Sequence, residues 1–177
     1  MNKKSTIWSF RVDNHESLNS EILECISSVP PNRYDVFIDK IYNSDYDSDG
    51  KLRKVYGDIF LKYGQGGWIE EVQRHYRVSE MNVQDMWFHQ YVKGDVFNMH
   101  FHPKSNISFI YYVELPETSA VTEFFCVEEQ KIVQPNVQEG DILFFPSYYP
   151  HRSPLISSDS RKTIVSGNIS FYRILSI

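Results

Sequence analysis

His100-Phe101-His102-Pro103-Lys104-Ser105-Asn106-Ile107-Ser108-Phe109-Ile110-Tyr111-Tyr112-Val113 is the stretch on which the reading of this chain turns. It opens with two histidines two residues apart. On a strand that spacing sets both imidazoles on one face and Phe101 on the other. After the turn at Pro103-Lys104 the chain re-enters a strand rich in apolar, aromatic and β-branched residues. A third histidine, His151, follows the apolar run Ile142-Leu143-Phe144-Phe145 and the turn-like Pro146-Ser147-Tyr148-Tyr149-Pro150. Two ligands from one strand and a third from a distant one suit a β-barrel pocket that grips a metal on one side and leaves positions open for substrate. Taken singly, each histidine has a plainer reading as a hydrogen-bonded core or surface residue.

Working outward, strands are predicted over residues 85–91, 96–102, 106–114, 121–127, 131–134, 141–146 and 163–173. Lys93-Gly94-Asp95, Pro116-Glu117 and Glu139-Gly140 supply turns between them. The N-terminal part reads differently. A short strand over 7–12 precedes Asn14, a helix cap, and a helix to about Ser28 with Leu18, Ile22, Cys25, Ile26 and Val29 at helical spacing. Pro30-Pro31 stops it. Gly64-Gln65-Gly66-Gly67 is a break, and a second helix is predicted over 68–78. This order predicts a mainly β fold, a double-stranded β-helix (jelly roll, cupin-like) with N-terminal supporting α-helices. One domain over 1–177 is expected, with helical support to about residue 82 and the β-helix core from about residue 83.

Composition narrows the class. The chain has 177 residues, 41% hydrophobic and 23% charged, ordinary values for a globular protein. Aromatics reach 15%, with twelve Tyr and twelve Phe, which favours strands. A formal net charge of −5 argues against general attraction to nucleic acid or an anionic membrane. No apolar run approaches a membrane span. The two cysteines, Cys25 and Cys126, lie far apart, and Arg11, Asp13 and Glu16 interrupt any signal-like apolar segment. A cytoplasmic protein with reduced thiols is expected.

Several polar residues could complete a site. Glu123, in Thr122-Glu123-Phe124-Phe125, could be a fourth ligand or an outward-facing strand residue. Glu114 ends a strand and reads as exposed, and Asp141 reads as a turn cap. Arg161 could clamp a carboxylate bidentately, with Thr163 two residues on sharing its face. Tyr91 and Tyr112 lie on strands flanking the paired histidines and could offer phenols. Ser44-Asp45-Tyr46-Asp47-Ser48-Asp49-Gly50 imitates the start of a calcium loop, but the closing glutamate would fall at Tyr56; it reads as a mobile surface loop. No serine sits in a nucleophile elbow, Cys126 reads as packing, and cysteine pairs for a structural zinc site are absent.

The ordered series Trp87-Phe88-His89-Gln90-Tyr91, Gly94-Asp95, His100 through Val113, Glu139 through Ser147, His151, and Arg161 through Phe171 resembles the iron(II)/2-oxoglutarate-dependent oxygenases related to prolyl hydroxylases, of a type common in marine bacteria and their phages. The resemblance runs from about Trp87 to Phe171, roughly half the chain. It implies Fe(II), the co-substrates 2-oxoglutarate and O2, and hydroxylation of a peptidyl or free amino-acid side chain or another small substrate. It implies that His100 and His151 bind iron, that Arg161 binds the distal carboxylate of 2-oxoglutarate with Thr163 assisting, and that Tyr91 and Tyr112 surround that co-substrate. The family's usual motif is His-x-Asp, and here the acid position holds His102. Either His102 completes a three-histidine metal site, or a group such as Glu123 supplies a ligand, or the metal site is altered. The net charge and the lack of an apolar span argue against membrane and nucleic-acid partners, and oligomeric state is left open, a homodimer included. A cupin-type metal enzyme shares His-x-His and a later histidine, but the usual cupin glutamate is missing from 106–110. A non-catalytic jelly-roll binding module is the third reading.

Overall fold

β7 (Ile107–Glu114) is apolar almost throughout, and its side chains alternate between two separate cores. Ile107, Phe109, Tyr111 and Val113 join one core, Ile110 and Tyr112 the other. A strand apolar on both faces is stable only between two layers. The computed structural model, which describes residues 6–28, 30–127 and 129–175, places it so. The six-stranded major sheet runs β1 (Trp8–Arg11), β10 (Asp141–Pro146), β7, β12 (Lys162–Ile174), β5 (Val78–Tyr91), β4 (Asn43–Ser44). All its pairings are antiparallel. A four-stranded minor sheet, β6 (Phe97–His100), β11 (His151–Ser153), β8 (Glu123–Cys126), β9 (Lys131–Val133), completes the double-stranded β-helix expected from the sequence.

Three helices supply the other layer: α1 (His15–Ser27), α2 (Lys51–Gly64) and α3 (Trp68–Tyr76). Their stripes Leu18/Ile22/Ile26, Tyr56/Phe60 and Trp68/Val72 pack against Phe88, Phe109, Tyr111, Phe144 and Val165 of the major sheet. Val29, counted in the first stripe, lies outside the described residues. Phe60 stacks on Trp68 and Phe109 and lies tilted against Tyr111, all with ring centroids within 5.5 Å. Phe60→Ala should therefore lower unfolding stability by about 3–5 kcal/mol, read from urea melts. The cavity it leaves lies on the helical side of the sheet, so metal uptake should survive. Close packing also explains Gly167 on β12. A Cβ there would lie 2.5 Å from the Phe109 ring and 2.7 Å from the Asp85 carbonyl oxygen.

Several expectations are corrected. The strand expected over 96–102 stops at His100, so His102 lies beyond its end and is held by its N–H donating to the Ser147 carbonyl at 2.7 Å. Asn14 stands at the α1 N-cap in a left-handed conformation (φ 54°), and its side chain makes no cap bond. The helix expected over 68–78 ends at Tyr76, where Arg77 turns left-handed (φ 56°) and releases the chain into β5. β5 begins at Val78 rather than 85. The acidic segment 44–50 is not wholly a surface loop. Ser44 pairs with β5, and Asp45 is buried, accepting from the Phe88 N–H (2.9 Å) and the Tyr56 hydroxyl (2.8 Å). Tyr56, where a calcium loop would need its glutamate, is thus the partner of the first acid. Neither α2 nor the hairpin β2 (Tyr34–Val36) and β3 (Asp39–Ile41) was anticipated. No helix among the described residues is long and apolar enough to cross a membrane.

Candidate metal centre

The alternation that splits the two cores also decides which polar side chains enter the space between the sheets. On β5, Phe88 and Met86 face the helices, whereas Trp87, His89 and Tyr91 line the inter-sheet cavity. His151 pairs with His100 across the β11–β6 ladder, which brings the distant histidine onto the first. The ligand-capable nitrogens of His100, His102 and His151 lie within 4.8 Å of one another. Two of these rings are oriented by backbone carbonyls. His100 Nδ1–H donates to Asn98 O (2.8 Å) and His151 Nδ1–H to Tyr149 O (2.9 Å). A carbonyl only accepts, so both Nε2 atoms are left bare, the arrangement that prepares an imidazole for a metal. His102 is instead set by stacking on Trp87, centroids 5.4 Å apart and planes 10° apart.

Burial keeps all three rings neutral. It lowers His100 below the usual imidazole range, His102 to about 4, and His151 well below its ordinary value. Neutral imidazoles are the ligand form, and a cluster of this chemistry fits a borderline divalent metal such as Fe(II). Glu123 is not among them. It lies on the face of β8 opposite Phe124, which packs against His151, and accepts from Arg152 Nε at 2.7 Å.

The residues expected to bind a carboxylate are placed away from the histidines. Arg161 makes a two-pronged pair with Glu114, Nε to Oε2 and Nη2 to Oε1, each 2.8 Å, and is 41% exposed. Thr163 also bonds Glu114, and accepts from Gln90 Nε2 at 3.2 Å. Both residues share the face of Val165, which packs on the helical core, so neither reaches the histidines. A cation on the inner side is the next residue, Lys162. It is fully buried, donates from Nζ to Ser153 Oγ (2.9 Å), and lies 5.0 Å over the Tyr91 ring. Tyr91 and Ser153 both line the cavity. Burial pushes Lys162 down to about 7, with Glu123 opposing the shift. Tyr112 is buried on the inner face, but its hydroxyl accepts from the Thr122 N–H at 3.2 Å, and burial pushes it up to about 12. It serves the core rather than the cavity wall. His89, passed over in the sequence, is buried on the inner face, and burial lowers it to about 3.

Outside the histidines a cleft of about 600 Å³ opens, walled by Tyr34, Asp39 and Ile41 of the unanticipated hairpin region and by Tyr46, Trp87 and Phe101.

No family model matches the chain, and no curated protein matches it. Solved structures do. An oxidoreductase of the 2OG-Fe(II) oxygenase family from Burkholderia pseudomallei superposes with a TM-score of 0.75 at 11% identity, over 96% of this chain and 88% of that one. The chain has the double-stranded β-helix of the 2-oxoglutarate/Fe(II) oxygenases. A viral collagen prolyl hydroxylase from Paramecium Bursaria Chlorella virus-1, in complex with 2-oxoglutarate, is similar with a TM-score of 0.57 at 14% identity, over 97% of this chain and 98% of that one. HygX from Streptomyces hygroscopicus, with nickel and 2-oxoglutarate bound, gives 0.64 at 9% identity, over 94% and 83%.

Proposed function

We propose that the chain is an Fe(II)- and 2-oxoglutarate-dependent dioxygenase. The observation that carries the reading is the convergence of three neutral imidazoles, His151 buried and His100 and His102 half-buried, on a cavity whose walls, Tyr91 and Ser153, hold the buried Lys162 ammonium behind them. His100, His102 and His151 would hold the metal. Lys162 takes the anchoring role first given to Arg161, since a cation already committed to Glu114 on the opposite face cannot receive a ligand in the cavity. When bound, Fe(II) would supply the oxidative chemistry, in which O2 gives one oxygen atom to 2-oxoglutarate, yielding succinate and CO2, and the other to a substrate C–H bond, yielding the alcohol. The protein's own part is to orient the co-substrate between the histidines and Lys162, to exclude water with Tyr91, Phe97, Phe145 and Ile164, and to present substrate through the outer cleft.

The substrate class this reading favours is a peptidyl or free amino-acid side chain or another small molecule. Its support is that relatives in fold include prolyl hydroxylases, one of them bound to a peptide fragment of hypoxia inducible factor. Succinate formation that depends on both Fe(II) and 2-oxoglutarate tests the activity. Metal uptake without succinate would favour the cupin or binding-module readings.

Lys162 adds a pH-dependent signature. Its ammonium titrates near 7 in the ligand-free fold because burial disfavours the charge. A carboxylate beside it restores the charged form and raises that value. At pH 8–9 the free protein holds Lys162 mostly neutral and the complex holds it protonated, so binding should take up close to one proton. Below pH 6 Lys162 is charged in both states and uptake should vanish. Calorimetry of 2-oxoglutarate binding in buffers of different ionisation enthalpy measures it.

A further inference from the structure

Trp87 and His89 are two apart on β5 and line the same cavity. The Trp87 indole N–H donates to His89 Nε2 at 2.9 Å. An indole nitrogen is a donor only, so Nε2 is the bare acceptor of the His89 ring and the neutral imidazole carries its proton on Nδ1. That Nδ1 is buried and has no hydrogen-bond partner among the described residues. His89 is 95% buried, at 5% exposure, so water does not readily relieve it. Interiors rarely leave such a donor unmatched, and the His89 ring lines the cavity, so what binds there can supply the missing acceptor.

The strand register says which acceptor. Tyr91 lies opposite Lys162, His89 opposite Ile164, and Trp87 opposite Ser166. Trp87 in turn stacks on His102. His89 therefore stands one two-residue step, about 6.5 Å, from the level of the buried ammonium, on the side of the histidine cluster. The carboxyl carbons of an extended five-carbon diacid are roughly 5 Å apart. A diacid held at Lys162 by one carboxylate brings its other end to His89.

We propose that His89 is a co-substrate-binding residue whose Nδ1–H donates to the keto-acid carboxylate of 2-oxoglutarate, with Trp87 as the positioning residue that fixes its tautomer. The proposal rests on the dioxygenase reading above. It divides the recognition of the two ends of the molecule: Lys162 reads the distal carboxylate and His89 the keto-acid end.

The test uses the full chain loaded with Zn(II), which is diamagnetic. Long-range ¹H–¹⁵N NMR should show the His89 proton on Nδ1, and its resonance should move on addition of 2-oxoglutarate. Calorimetry then compares 2-oxoglutarate with 2-oxobutyrate, a keto acid lacking the distal carboxylate. His89→Phe should weaken both ligands by a similar factor, about 10- to 100-fold. His89→Asn, whose amide can place a donor near the Nδ1 position, should recover most of that loss. Trp87→Phe should mix the tautomers and give a smaller loss. Lys162→Ala should weaken 2-oxoglutarate and leave 2-oxobutyrate nearly unchanged. A proton found on Nε2, an Nδ1 resonance indifferent to 2-oxoglutarate, or a His89→Phe variant that binds both keto acids as the parent does would overturn the proposal while leaving the dioxygenase reading standing. A parent that takes up Zn(II) and binds neither keto acid would overturn both.

Discussion

His151→Ala should abolish tight Fe(II) binding, with metal content after dialysis falling by far more than the 10–100-fold that loss of an outer hydrogen bond costs a metal site. The expectation follows from position. His151 is 4% exposed, its ring lies 4.3 Å from that of His100, and its Nδ1–H is spent on the Tyr149 carbonyl, leaving Nε2 for the metal. His100→Ala should do the same. His102 is the informative member of the set, because the resemblance to the 2-oxoglutarate oxygenases places it where an acid is usual. His102→Asp should retain Fe(II), since a carboxylate suits that metal. A variant that loses the metal entirely would show that the three-imidazole set is itself required. Metal analysis on protein of verified fold decides among these.

Lys162→Ala should raise the apparent dissociation constant for 2-oxoglutarate by about 100-fold or more while leaving metal content unchanged, because a buried anion deprived of its cation loses several kcal/mol. Lys162→Arg should recover little, since Lys162 is fully buried against Ser153 and Tyr91 and a larger guanidinium overpacks a close-packed site. Arg161→Ala is the matched control. Its pair with Glu114 is partly exposed on the opposite face, so its loss should leave co-substrate affinity within a few-fold and cost about 0–1 kcal/mol of stability. Titration of the metal-loaded variants with 2-oxoglutarate compares them directly. A larger loss at Arg161 than at Lys162 would return the anchor to the residue the sequence first suggested.

The move of the proposed anchor from Arg161 to the neighbouring Lys162 shows where sequence reasoning reaches its limit. The histidine cluster was legible, because His100 and His151 bracket strands whose apolar runs are unambiguous, and β10 was found at its observed bounds, 141–146. On β12 the signal fails. Ile164 and Val165 are both apolar and enter different cores, so no polar–apolar alternation reveals which of Arg161 and Lys162 turns inward. A register shift between Thr163 and Ile164 further breaks the count. Inverting the parity moves every side chain to the other face. Helix α2 was missed although Leu52, Tyr56, Ile59, Phe60 and Tyr63 carry helical spacing, because its start lies behind an acidic segment and Gly50, left-handed at φ 78°, offers no side-chain cap. The β2–β3 hairpin hides for a related reason. Its turn uses Phe37 at φ 57° and 97% exposed, a residue type that sequence patterns do not assign to that conformation.

The most direct measurement of the central claim is an anaerobic titration of the full chain with Fe(II) and then 2-oxoglutarate, watched in the visible spectrum. A metal-to-ligand charge-transfer band that grows to one equivalent, and is lost in His151→Ala, is the expected result. Fe(II) binding with no such band at saturating 2-oxoglutarate would contradict the account.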